Sequence, residues 1–229
     1  MNLERDGLKG KRVFVVGSGG SLLDEDLSLL DGQIVMGVGQ SLAIWKESPL
    51  TYSLYAFHAI EEQRPNDDWA RALGIPLLCG YQEGDRHGLQ AYDFPDGYKM
   101  VFRDHAQSLH GGCLGDVDGD FTWAANSGSV GLALGVQTAM WLGAGSICLL
   151  GHDFNPRGYV SNLQEPRGGD AKVAPLWEPG GKRLMEIEAA LRNLQARCGA
   201  RGTELQNCTN STSEEVLEKR SLREVIDAE

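Results

Sequence analysis

A short hydrophobic run that ends on a glycine-rich segment constrains the fold of this chain more than any other feature. Residues 13–16 (Val-Phe-Val-Val) are consecutive β-formers, which predicts a strand that is buried on both faces. The run stops at a loop made of Gly17, Ser18, Gly19, Gly20 and Ser21. Glycines at a strand-to-helix turn let the backbone approach a ligand, and N–H groups at a helix start attract anions. The loop therefore predicts a contact with a phosphate or nucleotide, with a tight turn that binds nothing as the alternative.

The glycine spacing does not complete the dinucleotide-binding fingerprint. Gly17 and Gly19 fit its first two glycines, but the third would fall at Leu22, and no acidic residue marks the end of a second strand. The loop therefore predicts a nucleotide or phosphate ligand without specifying which one.

Length and charge narrow the class of protein. The 229 residues suffice for one α/β domain, and the net charge of −11 disfavours a protein that coats nucleic acid, because such binding depends on cationic groups.

Five scattered cysteines without a CxxC pair indicate reduced thiols and no zinc site. The polar residues 1–11 predict no signal peptide, so we expect a cytoplasmic protein in which the Asn207-Cys208-Thr209 sequence is not glycosylated. The uncharged residues 121–151 are interrupted by glycines and predict a buried helix and strand, not a membrane span.

Short strands that alternate with helices predict the architecture. We expect strands at residues 34–38, 53–58, 76–79, 146–150 and 204–208, and helices at 22–30, near 42–45, at 129–142, at 182–198 and from Ser221. This alternation predicts a single Rossmann-like α/β domain over residues 1–229, with a mostly parallel sheet flanked by helices. Residues 80–120 are too irregular for elements to be assigned. Residues 155–181 are rich in glycine and proline, which predicts a lid loop or else a disordered segment.

Three segments are expected to meet at one edge of this sheet. They are the loop at 17–21, the helix start at Asn126, Ser127 and Gly128, and the strand end at residues 151–154. Open α/β sheets bind ligands at the edge formed by the carboxyl ends of their strands. The polar groups at 126–128 therefore predict a second anion contact, and an ordinary helix N-cap is the alternative.

Two blocks of sequence resemble a known superfamily. Gly-Ser-Gly-Gly-Ser-Leu at 17–22 resembles the Gly-x-Gly-Pro-Ser-Leu opening of the bacterial CMP-sialic-acid-dependent sialyltransferases of glycosyltransferase family 42. It is also similar to the related pterin-pyrophosphokinase-like proteins and to bacteriophage proteins of the same superfamily. Residues 126–154, which end in Gly151-His152-Asp153-Phe154, resemble the Ser-Gly...Gly-x-Asp-Phe block of the sialyltransferases in order and spacing.

The resemblance implies a nucleotide-sugar donor, with a CMP-sugar favoured, and no further cofactor. It implies that 17–21 contacts phosphate and ribose, that 127–128 holds the nucleotide or donor sugar, and that Asp153 and Phe154 flank the base or ribose. Tyr159 would correspond to a lid tyrosine that holds the departing phosphate. The residues implied in nucleotide binding are Gly17, Ser18, Gly19, Gly20, Ser21, Asn126, Ser127, Gly128, Asp153, Phe154 and Tyr159.

The general base has no direct counterpart. The sialyltransferases carry a lid histidine before the long helix, and residues 170–186 contain no histidine. The candidates for catalysis are His58, at a predicted strand end, and His152 with the adjacent Asp153. A histidine titrates near neutral pH and can take a proton from an acceptor hydroxyl. A structural role is the alternative for each histidine.

A group of carboxylates keeps a second reaction open. Asp116, Asp118 and Asp120 are spaced like ligands of a hard cation, and an exposed acidic turn is the alternative. We expect a metal-independent glycosyltransferase that passes a sugar to the hydroxyl of an unknown acceptor. The acceptor would be a glycan, or a modified nucleic-acid base if the protein is phage-borne, and a homo-oligomer is left open. The alternatives are a Mg²⁺-dependent pyrophosphokinase-like enzyme that uses ATP and a non-catalytic nucleotide-binding protein.

Overall fold

The computed structural model of the protein describes residues 6–38, 41, 54–58, 75, 77–81, 99–102, 135–153, 182–209 and 216–228. At 54–58, 77–81, 99–102, 182–184 and 186 the description is of the backbone. The predicted helix near 42–45, the acidic segment at 116–120, the helix start at 126–128 and the lid at 155–181 lie outside the described residues. These four stay predictions.

The described residues contain a seven-stranded sheet with the order β5-β4-β3-β2-β1-β6-β7. Each neighbouring pair is parallel. The strands are β1 (Arg12–Val16), β2 (Val35–Val38), β3 (Leu54–His58), β4 (Leu77–Tyr81), β5 (Lys99–Phe102), β6 (Ser146–Leu150) and β7 (Glu204–Asn207). The predicted α/β class with a mostly parallel sheet is confirmed, and β5 is an additional strand in the segment where none was assigned.

The strand order reverses between β1 and β6. From β1 the chain passes to β2 on one side, whereas β6 and β7 lie on the other side of β1. At such a reversal the connections leave towards opposite faces, so a crevice opens outside the carboxyl ends of the two strands. The glycine loop follows β1 and residues 151–153 follow β6, so both segments lie at this crevice.

The larger core packs one face of the sheet against two helices, α1 (Gln137–Trp141) and α2 (Lys182–Ala200). Alternate side chains of a strand point to opposite faces, so Val13 and Val15 of β1 enter this core together. Helix α2 contributes Ile187, Leu191, Leu194 and Cys198, whose spacing of three or four residues forms one apolar stripe. The predicted helix at 182–198 is thereby confirmed.

The opposite face is covered by short elements. A 3-10 helix at Gly20–Asp24, a second one at Leu27–Leu30 and helix α3 (Leu222–Asp227) bury Leu22, Leu27, Leu30, Leu222 and Val225. The single amphipathic helix predicted at 22–30 is therefore wrong. The chain breaks at Asp26, whose carboxylate accepts the Ser28 N–H and begins the second turn, because a short polar side chain competes with helical backbone pairing.

The capping box predicted at Ser221 is confirmed at the start of α3. The Ser221 hydroxyl accepts the Glu224 N–H at 3.2 Å, and the Ser221 N–H donates to the Glu224 carboxylate at 2.8 Å. The cysteines at 148, 198 and 208 are free and buried. No helix within the described ranges is long and apolar enough to cross a membrane.

Candidate functional site

The glycine loop (residues 17–21) runs alongside the residues that follow β6. The Gly17 N–H donates to the Leu150 carbonyl and the Gly19 N–H donates to the Gly151 carbonyl, both at 2.8 Å. The parallel pairing of β1 with β6 therefore continues beyond the ends of both strands. Gly151 has φ +68°, a left-handed conformation that glycine adopts at low cost and that turns the chain towards Asp153.

The loop ends in two hydrogen bonds from Ser21 to the Asp153 carboxylate, which we call the Ser21–Asp153 clasp. The Ser21 N–H donates to Oδ2 of Asp153 at 2.8 Å, and the Ser21 hydroxyl makes a short hydrogen bond to Oδ1. Asp153 is only 5% exposed and Ser21 is half-buried, so these bonds are partly shielded from water. The carboxylate lies at the first turn of the 3-10 helix, where N–H groups favour a negative charge.

The clasp changes what the loop can offer to a phosphate. The N–H groups of Gly17, Gly19 and Ser21 are engaged, and the third of them already binds an anion that belongs to the protein. The N–H groups of Ser18 and Gly20 have no hydrogen-bond partner among the described residues. The predicted phosphate contact of residues 17–21 stays a prediction.

His152 is a buried histidine with engaged polar groups. Its ring Nε2 lies 3.1 Å from the Val15 carbonyl, which can only accept, so Nε2 carries the proton. Its backbone N–H donates to the Thr209 hydroxyl at 3.2 Å. Burial lowers the pKa of His152 to about 4, so the ring is neutral at neutral pH. These contacts favour the structural alternative for His152 over a catalytic one.

His58 is the last residue of β3 and belongs to the same edge of the sheet. It lies two strand spacings from β1, which is roughly 10 Å. An acceptor that binds between the ends of β3 and β1 would therefore have His58 on one side and the glycine loop on the other. The assignment of His58 as the base stays a prediction.

Two residues at the end of β7 were not identified from the sequence. Asn207 accepts the Thr209 N–H at 3.0 Å through its side-chain Oδ1, and Thr209 in turn accepts the His152 N–H. Both residues are almost fully buried. The signal was present in the Asn-x-Thr sequence after a strand, because Asn side chains cap backbone N–H groups two residues on.

The remaining predicted contacts, Asn126, Ser127, Gly128, Phe154 and Tyr159, lie outside the described residues. They stay predictions. Within the described part of the chain, no three His, Cys, Asp or Glu side chains are grouped as they would be around a metal ion.

Comparison with known proteins identifies a similar fold. No protein-family model and no curated protein sequence matches this chain. The solved structure of the MAf glycosyltransferase from Magnetospirillum magneticum AMB-1 is similar over 98% of this chain, with a TM-score of 0.55 and 14% sequence identity. The similar region spans 37% of the length of that protein. At this identity the similarity concerns the fold.

Proposed function

We propose that this chain is a glycosyltransferase that binds a nucleotide-activated sugar in the crevice between the carboxyl ends of β1 and β6, with a CMP-sugar as the favoured donor. The observation that carries the proposal is the Ser21–Asp153 clasp, which joins a glycine loop to a buried carboxylate where the strand order reverses. The likeness of the fold to a glycosyltransferase supports the reaction class. The resemblance of the two sequence blocks to the family 42 sialyltransferases supports the donor class.

The charges at the crevice support one orientation of the donor. A carboxylate accepts hydrogen bonds and repels a phosphate, so Asp153 suits a hydroxyl of the ribose or of the sugar. The phosphate would bind further along the loop, at the N–H groups of Ser18 and Gly20 and at residues 126–128. Phe154 and Tyr159 would then flank the base and the departing phosphate, as the resemblance implies.

The transfer needs a base for the acceptor and a stabilised leaving group. We assign the base to His58, since Nε2 of His152 is engaged by Val15. His58 takes the proton of the acceptor hydroxyl, whose oxygen forms a bond to the anomeric carbon while the bond from that carbon to the phosphate oxygen breaks. The N–H groups at the phosphate stabilise the charge that develops on the released nucleotide.

A thermal-shift panel tests the proposal. CMP, CDP, UDP, GDP and ATP are each added to the purified protein with and without Mg²⁺. Stabilisation by CMP without metal is the expected result, and turnover of the matching CMP-sugar with release of CMP would establish the reaction. A response to ATP with Mg²⁺ alone would overturn the proposal in favour of the pyrophosphokinase-like alternative. Binding without turnover of any matching donor would favour a non-catalytic nucleotide-binding protein.

Two serine variants locate the bound nucleotide. Ser21→Ala removes the hydroxyl that bonds Asp153, whereas Ser28→Ala removes a comparable hydroxyl that donates to exposed Asp26 at 2.5 Å. We expect Ser21→Ala to weaken binding of the stabilising nucleotide about tenfold, because a charge-assisted hydrogen bond that orders the site is lost. Ser28→Ala should bind like the wild type. Equal affinity of all three proteins would mean that the nucleotide binds elsewhere.

A further inference from the structure

The pairing of β6 with β7 continues past the end of β7 through a side chain. The Cys208 N–H still donates to the Leu149 carbonyl at 2.8 Å, as a strand would. At the next position the Thr209 hydroxyl replaces the backbone, since it accepts the His152 N–H at 3.2 Å and donates to the Leu149 carbonyl at 3.4 Å. Thr209 is fully buried, so water does not compete for these bonds.

Thr209 is itself held in place. Its N–H donates to Oδ1 of Asn207, and the Asn207 carbonyl accepts the Arg220 N–H at 2.9 Å. The Thr209 hydroxyl therefore has a defined position relative to β7. Because it accepts the His152 N–H, it also fixes the backbone of His152 relative to β7. A buried N–H that loses its acceptor is costly, so the backbone at 152 has a strong preference for this arrangement.

The residue after His152 is Asp153, whose carboxylate forms the Ser21–Asp153 clasp. A continuous path of hydrogen bonds and one peptide unit thus runs from Asn207 through Thr209 and His152 to the glycine loop. On this basis, and resting on the proposed function, we propose that Thr209 is a positioning residue for the nucleotide site. It acts by fixing the strand end that presents Asp153 to Ser21.

The chain offers a matched control at the other end of the same strand. Thr203 precedes β7, is also buried, and its hydroxyl donates to the Ala144 carbonyl at 2.8 Å just before β6. Thr203→Val and Thr209→Val therefore each remove a threonine hydroxyl from the β6–β7 pair, one at the start of the strands and the other at their end. Valine has nearly the shape of threonine, and Thr209→Ser restores the hydroxyl as a rescue variant.

The first measurement is CMP affinity by calorimetry alongside the melting temperature. We expect Thr209→Val to weaken CMP binding about tenfold, Thr209→Ser to restore it, and Thr203→Val to leave it unchanged at a similar loss of stability. In an Asp153→Asn background the Thr209→Val effect on affinity should largely disappear, because both changes act on one group. Equal affinities of the Thr203 and Thr209 variants would overturn the inference while leaving the proposed function intact.

The second measurement does not need a ligand. Amide hydrogen exchange of Ser21 should accelerate at least tenfold in Thr209→Val, because the carboxylate that protects this amide loses its position, and should be unchanged in Thr203→Val. An unaltered Ser21 exchange rate in Thr209→Val would overturn the inference. If the wild type binds no nucleotide in the panel, the proposed function fails by itself, and the exchange rates still decide whether Thr209 positions Asp153.

Discussion

Replacing Gly19 with alanine tests the close contact on which the proposed site depends. The backbone of Gly19 has φ −68° and ψ 148°, which alanine adopts without strain. A Cβ at this position would lie 2.3 Å from Oδ1 and 2.4 Å from Cγ of Asp153, far inside van der Waals contact. Alanine therefore fits only if the Asp153 carboxylate or the loop moves.

Either movement disrupts the two hydrogen bonds of the Ser21–Asp153 clasp. A hydrogen bond to a charged group contributes about 1.5–3 kcal/mol, and the reduced entropy of the unfolded chain in a Gly→Ala variant offsets about 0.4–1 kcal/mol. With partial rehydration of the released groups, we expect the free energy of unfolding to fall by about 3 kcal/mol. For a chain of this length the melting temperature should fall by about 6–12 °C.

The assay is urea unfolding followed by circular dichroism, with a thermal scan of the same proteins. Gly199→Ala is the control, because Gly199 lies in α2 and, beyond the neighbouring turn of its own helix, an added Cβ meets none of the described atoms within 4 Å. Alanine favours helix over glycine, so this variant should be more stable by about 0.5–1 kcal/mol. A Gly19→Ala protein within about 0.5 kcal/mol of the wild type would refute the close approach of Gly19 to Asp153.

Three further predictions concern other groups. Burial lowers the pKa of His152 from 6.5 to about 4. Between these two pH values His152 is protonated in the unfolded chain but neutral in the folded protein, so the folded protein loses stability as the pH falls from 6.5 towards 4. The free energy of unfolding should therefore fall by about 3 kcal/mol between pH 7 and pH 4 because of His152. His152→Gln should remove this part of the pH dependence in urea titrations. A variant with the same pH profile as the wild type would contradict the lowered pKa of His152. Ser221→Ala removes the hydroxyl that accepts the Glu224 N–H and should lower the urea-derived stability by about 1 kcal/mol, whereas no change would mean that the capping box is not formed in solution. Burial raises the pKa of the Cys198 thiol to about 12, so iodoacetamide should modify Cys198 in urea but not in the native protein, as peptide mass spectrometry can check.

The central part of the fold could be predicted because its signals are local. The apolar runs at β1 and β6 and the apolar stripe of α2 are visible in short windows of sequence. The segment at 22–30 was predicted incorrectly because its leucines suit a helix, while the Asp26 side chain directs the backbone into two short turns. β5 is only four residues long and follows an irregular segment, so no periodicity could identify it.

The meeting of the glycine loop with the residues after β6 could be predicted from the sequence, but the contacts between them could not. A parallel sheet brings residues 17–21 and 151–153 to one edge, and the structure brings Gly19, Ser21 and Asp153 together. That Asp153 would bind Ser21 depends on side-chain geometry across 132 positions, which no local pattern encodes. The contact of the buried His152 ring with Val15 and the hydrogen bond from His152 to Thr209 depend on the same long-range packing.

The pairing of β1 with β6 also has a consequence for how the protein folds. These neighbouring strands are separated by about 130 residues, and closing a loop of that length carries an entropic cost of about 4 kcal/mol from its length alone. Contacts between residues so far apart in sequence form slowly, because the chain loses the entropy of closing the loop before the contacts contribute any stabilising free energy. The two halves of the crevice therefore come together only when the centre of the sheet closes. A nascent chain that has emerged only as far as β5 holds the glycine loop without its partner, and gains the crevice once β6 docks beside β1.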